Sequence, residues 1–129
     1  LVVSAAHDTA FSRITVVVMG EPSTYDQILR QLNKLVDVVH ATSHESTDVV
    51  DREMALFKVK VDPKKRAEIF QIVEVFRAKT VDITDQSLVI ETTGDSSKID
   101  ALEKLLGPMG LVEMVRSGKL IMKRGVEET

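Results

Sequence analysis

His40 and His44 stand four positions apart, a spacing that on a helix would put two imidazoles on one face for a metal ion. They fall instead at the end of an apolar, strand-like run and in a polar stretch, with no third ligand nearby, so solvated loop histidines are expected. His7 beside Asp8 has the residue types of an acid–base pair, yet it lies in an expected hairpin loop with no nucleophile within sequence reach. Lys64-Lys65-Arg66 opens an expected helix, where cations oppose the macrodipole, and could contact phosphate or an acidic partner. The flanking Asp62 and Glu68 favour a solvated, charge-balanced face. Gly94-Asp95-Ser96-Ser97 precedes a helix as a phosphate loop would, but without Walker spacing or a following Lys-Ser/Thr pair, and reads as a turn and cap. No set of nucleophile, base and oxyanion donors emerges, and no catalytic or metal-binding residue is assigned.

Composition narrows the classes further. In 129 residues, 43% are apolar with only four Phe and one Tyr, which favours an aliphatic core in one ordinary domain or two small ones. Lys and Arg number 17 against 20 Asp and Glu, so the cationic surplus of a nucleic-acid binder is missing and no nucleic-acid partner is expected. Zero cysteines exclude disulfides, thiolate catalysis and cysteine-ligated metal, and fit a reducing compartment such as the cytoplasm. No apolar run approaches the roughly 20 residues that span a bilayer, so no membrane partner is expected either.

The elements that would position any site follow from periodicity. Arg13 to Met19 reads as a strand ending at Gly20-Glu21-Pro22; a helix follows with Tyr25, Ile28, Leu29, Leu32 and Leu35 at helical spacing and Ser23 with Asp26 as a capping start. Leu35 to Val39 returns to strand composition. The pattern recurs: Ser87 to Thr93 is strand-like and ends at Gly94, after which Ser97 and Asp100 open a helix carrying Ile99, Leu102, Leu105 and Leu106, with a strand at Leu111 to Val115. Gly20 and Gly94, Ser23 and Ser97, Asp26 and Asp100, and Leu32 and Leu106 all stand 74 positions apart, which indicates an internal repeat of domain size.

Between the copies, Met54 to Val61 alternates with Phe57, Val59 and Val61 on one face. Asp62 and Pro63 open a helix with the stripe Ile69, Ile72, Val73 and Phe76; Lys79 to Ile83 is the next strand, and Thr84-Asp85-Gln86 turns it into Ser87. The expectation is an α+β fold of two ferredoxin-like βαββαβ domains with both helices on one sheet face. The first, residues 1–48, has only β-β-α-β, from a strand at Leu1 to Ala5; the second, 49–129, is complete, with polar His44 to Asp48 as linker. The opening strand and helix of the first copy would precede Leu1, so the natural protein is expected to be longer. RNA stacking on the sheet would want more aromatics than Phe57, and acylphosphatase chemistry would want an Arg-bearing loop where Val61-Asp62-Pro63 is acidic.

The chain resembles the regulatory small subunit of acetohydroxyacid (acetolactate) synthase, an ACT-domain family. The resemblance rests on Ser12-Arg13-Ile14-Thr15-Val16-Val17, Gln27-Ile28, Gln31 to Val38, Arg52-Glu53-Met54-Ala55-Leu56, Arg66-Ala67-Glu68-Ile69, Phe76-Arg77-Ala78-Lys79, Val81-Asp82-Ile83, Thr93-Gly94 and Val115-Arg116-Ser117-Gly118. It implies a non-catalytic subunit that binds the catalytic large subunit, which carries thiamine diphosphate, magnesium and FAD, raises its activity, and confers valine feedback inhibition on branched-chain amino-acid biosynthesis. It implies no cofactor on this chain, a homodimer through side-by-side ACT domains, and a cytoplasmic or, in a plant, plastid location. The ligand loop and first helix it implies would precede Leu1, so the effector residues it implies here form a partial site: Val2 and Ser4, on the strand flanking the ligand, and Gln27 on the following helix. A free-standing ACT-type amino-acid sensor acting on another enzyme or regulator is the alternative.

Overall fold

The computed structural model describes residues 1–129. Its elements run β1 (Val2–Ala5), β2 (Ser12–Thr15), α1 (Pro22–Asn33), β3 (Val49–Lys60), α2 (Arg66–Val75), β4 (Lys79–Ile83), β5 (Ser87–Gly94), α3 (Ser96–Leu106), β6 (Leu111–Arg116) and β7 (Leu120–Lys123), with 3-10 turns at Pro63–Lys65 and Gly107–Met109. The expected α+β class is what the chain forms. It divides into two compact units, one of residues 3–50 with 121–129, the other of 51–120.

The second unit completes the βαββαβ order. Its sheet runs β4-β5-β3-β6, with antiparallel pairing between β3 and β5, β3 and β6, and β4 and β5. Alternation along β3 sends Ala55, Phe57 and Val59 to the buried side, and the β5 partners of the latter two, Ile90 and Leu88, follow them. Ile69 and Val73 of α2 and Ile99, Leu102 and Leu106 of α3 close this core, with Ile72 and Phe76 packed at its margin. Each fully buried aliphatic or Phe side chain contributes about 1.5–3 kcal/mol relative to exposure. Leu105, expected among the apolar positions of α3, is 46% exposed because helical spacing turns it away from the Leu102/Leu106 stripe.

The first unit holds the two-stranded sheet β1-β2 and α1, whose Tyr25, Ile28, Leu29 and Leu32 are half-buried. Two expected strands there differ. The strand at Arg13 to Met19 stops at Thr15, and Val16, Val17 and Met19 are exposed. Their β-branched composition fits a pleated surface, but a strand persists only where a neighbour continues the ladder, and β1 is four residues long. Leu35 to Val39 is a turn: the Leu35 N–H donates to Leu32 O at 3.1 Å and the Val38 N–H to Leu35 O at 3.2 Å. Local turns have taken the backbone groups that a ladder would use.

Helix starts also moved. α1 begins at Pro22 with Glu21 as N-cap, so Ser23 lies inside the helix; the ring of Pro22 presets φ for the first turn and has no N–H to satisfy. Asp95, rather than Ser97, caps α3. Asp62 precedes the Pro63–Lys65 3-10 turn without a side-chain cap bond, and α2 starts only at Arg66.

Candidate functional site

Val2 and Ser4 share the less exposed face of β1, while Gln27 stands exposed on α1. The structure therefore groups two of the three expected effector residues on one strand face and puts the third on a separate helix. The β1–β2 connection is ordered by Asp8, whose carboxylate accepts from the Ala10 N–H at 3.0 Å and whose carbonyl accepts from Phe11 at 3.1 Å. Asp8 is thus a turn former beside an exposed His7. The Tyr25 hydroxyl accepts from the Gly20 N–H at 3.0 Å, fastening the loop after β2 to the start of α1.

At the other end of α1, Asn33 brackets the following turn. Its amide donates to Leu29 O at 3.0 Å and Ala41 O at 3.2 Å, and its carbonyl accepts from the Ala41 N–H at 3.0 Å. Asn33 fell within the resembling block Gln31 to Val38, but neither periodicity nor spacing marked it as the clasp. His44 lies 3.3 Å from the Thr42 hydroxyl, and no group of three or more His, Asp or Glu in the chain could hold a metal ion.

In the second unit the strongest electrostatic feature joins β3, α3 and β6. Arg116 donates through Nε to Glu53 at 3.0 Å, again through Nη2 to the same oxygen, and through Nη1 to Asp100. Glu53 is 5% exposed. Hydrogen bonding to Glu53, then to Asp100, raises the Arg116 guanidinium above its ordinary value against the opposing effect of burial. A buried carboxylate demands such a fork, because two N–H donors on one oxygen replace the water it lost. Periodicity alone assigns no role to Glu53 or Arg116, although Glu53 shares the inward parity of Ala55 and Phe57.

At α3, Asp95 accepts from the Lys98 N–H at 2.9 Å and from the Ser97 hydroxyl at 2.7 Å, which hold its carboxyl below the ordinary range. Gly94 leaves room for Lys98 to cross back, its Nζ donating to Thr93 O at 2.9 Å; a Cβ at 94 would lie 2.5 Å from the Lys98 side chain. The segment is a turn and cap. Arg66 of the basic run is likewise occupied, bonded to the Thr84 carbonyl beside the β4–β5 turn.

An open cleft of about 630 Å³ lies at one end of this sheet, lined by Lys60, Asp62, Lys65, Gln86, Met109 and Gly110 among others. Among its lining residues the Lys60 N–H donates to Gly110 O at 2.8 Å and the Val61 N–H to Gln86 O at 2.9 Å. Its charges are of both signs and solvent-facing. The cleft's lining places Lys60, Asp62, Lys65 and Glu68 around a polar opening suited to contact with a ligand or partner of mixed charge.

The family model described as the small subunit of acetolactate synthase matches residues 52–125. An acetolactate synthase small subunit of Mycolicibacterium smegmatis is 42% identical over 125 residues, covering 97% of this chain and 74% of that protein. A chloroplastic acetolactate synthase small subunit 1 of Nicotiana plumbaginifolia is 44% identical over 110 residues, covering 85% of this chain and 24% of that one. The crystal structure of the small subunit of acetolactate synthase from Thermotoga maritima matches with a TM-score of 0.89 at 38% identity, covering 98% of this chain and 79% of that chain.

Proposed function

The chain belongs to the acetolactate synthase small-subunit family, and on that premise we propose that it binds and activates the thiamine-dependent catalytic subunit and confers valine feedback inhibition. It is a regulatory subunit, not the catalytic enzyme, and its partner is the large subunit. The observation that carries this reading is the 42% identity to a small subunit over 97% of the chain. A surface rich in exposed apolar side chains and without a reactive cluster accords with a protein that works by contact.

Valine would be held by polar backbone groups along β1, with Val2 and Ser4 on the flanking face and Gln27 reaching from α1. Pairing of two chains through the N-terminal ACT unit would cover the open edges of its two-stranded sheet. Residues 1–48 form the N-terminal ACT part of this reading and 49–129 the C-terminal ferredoxin-like domain, in the cytoplasm or a plastid. No helix is long and apolar enough to cross a membrane.

The test is turnover of the catalytic subunit with and without this chain, followed by valine titration of the complex. Raised turnover, valine inhibition, and inhibition weakened by Gln27→Ala with activation retained are expected. Absence of binding and activation would overturn the regulatory reading; inhibition untouched by Gln27→Ala together with Ser4→Ala would overturn the site.

A further inference from the structure

The cleft at the end of the second unit's sheet is walled by four segments. They are the end of β3, the start of α2 with the 3-10 turn before it, the β4–β5 turn at Gln86, and Pro108 to Gly110 before β6. Backbone bonds tie these walls together: Lys60 N–H to Gly110 O at 2.8 Å, Val61 N–H to Gln86 O at 2.9 Å, and Lys65 N–H to Asp62 O at 2.9 Å. Gly110 lies so close to β3 that a Cβ there would meet the Lys60 carbonyl. The opening is therefore built into the fold, and its volume of about 630 Å³ suits a small molecule.

Four charged side chains line it, the cations Lys60 and Lys65 and the anions Asp62 and Glu68. Lys65 stands three positions from Asp62 and three from Glu68, a spacing at which opposite charges on a helix pair. They do not pair. The ion pairs of the chain are Lys58–Glu113, Arg116–Glu53, Arg116–Asp100 and Lys123–Glu127, and Asp62 makes no side-chain cap bond. Donors and acceptors of both signs thus stay free toward one opening. A polyanion or a bare cation would each meet like charge there, whereas a molecule carrying one ammonium and one carboxylate finds a partner for both. Pro108 and Met109 add apolar surface for an aliphatic side chain.

We infer that this cleft is a ligand site for a free α-amino acid with an aliphatic side chain. The ligand's ammonium donates to Asp62 and Glu68, and its carboxylate accepts from Lys60 and Lys65. The site is separate from Val2, Ser4 and Gln27 and does not rest on the valine reading. The test is titration of the isotope-labelled chain with leucine, followed by amide NMR shifts. Saturable shifts are expected at Lys60, Gln86 and Gly110. They should be lost with N-acetylleucine, which lacks the ammonium, and with leucinamide, which lacks the carboxylate. Lys65→Gln and Asp62→Asn should each weaken binding about tenfold, while Lys65→Arg keeps it within about twofold. Gln27→Ala together with Ser4→Ala should leave the cleft shifts unchanged, and the remaining amides of each variant report that it is folded. Absence of saturable shifts at the cleft, equal shifts with leucinamide or N-acetylleucine, or binding indifferent to Lys65→Gln and Asp62→Asn would overturn the proposal. So would shifts confined to β1 and α1, an outcome that leaves the valine reading standing.

Discussion

The Arg116 guanidinium meets the Glu53 carboxylate with its Nε at 3.0 Å, across the β3–β6 boundary and at the edge of the core. Glu53 is almost wholly buried, whereas the Arg116 side chain keeps a quarter of its surface in water. Removing the cation therefore harms more than removing both charges, since it leaves a carboxylate without water or partner. Arg116→Met is expected to lower stability by about 2–3 kcal/mol, and Glu53→Leu with Arg116→Met together to recover part of that loss. Urea titration checks this, through a lower midpoint at unchanged slope.

Gly110 permits no side chain. Its φ is +106°, and a Cβ there would lie 2.2 Å from the Lys60 carbonyl oxygen, where the β3–β6 ladder shifts register nearby. Gly110→Ala should cost at least about 2–3 kcal/mol through backbone strain and displacement of that carbonyl. Gly107→Ala, with nothing within 4 Å of the added carbon, is the matched control and should fold normally in thermal denaturation.

The Asp95 cap has a pH signature. Its carboxyl is depressed from the ordinary 3.8, first by the Lys98 N–H and then by the Ser97 hydroxyl. A depressed carboxylate contributes stability that is present above its unfolded value and is lost as pH falls through the folded one. The melting temperature of the wild type should therefore drop more steeply below about pH 4 than that of Asp95→Asn. Parallel acid profiles for the two proteins would contradict the assignment.

Residues 41–48 form no helix or strand, and Glu45 is exposed within them, whereas Glu53 is buried in β3. A Glu-specific protease should cut first after Glu45, well before Glu53 or the half-buried Glu91, as mass spectrometry of early digests would show. First cleavage inside β3 or β5 would contradict the division of the chain at this stretch.

What the sequence by itself determined is the part of the protein that repeats at short range. The period-two run through Phe57 and Val59, the helical stripe Ile69–Val73, and the turn at Thr84–Gln86 each bury or satisfy themselves by local rules, and all lie where they were expected. The βαββαβ order of the second unit follows from them. The 74-residue spacing linked Gly20 and Gly94, yet the two positions are finished differently, by Tyr25 in one case and by Asp95 and Lys98 in the other.

Tertiary structure decided the rest. Val16 to Met19 and Leu35 to Val39 have strand composition but are not strands, because a ladder needs a neighbour and no local pattern can promise one. Of the candidate site, the strand of Val2 and Ser4 and the helix of Gln27 were both legible, because each lies in a locally periodic segment. The union of Glu53 with Arg116, 63 residues later in the chain, could be made only by strand pairing, which brings distant residues within hydrogen-bonding reach.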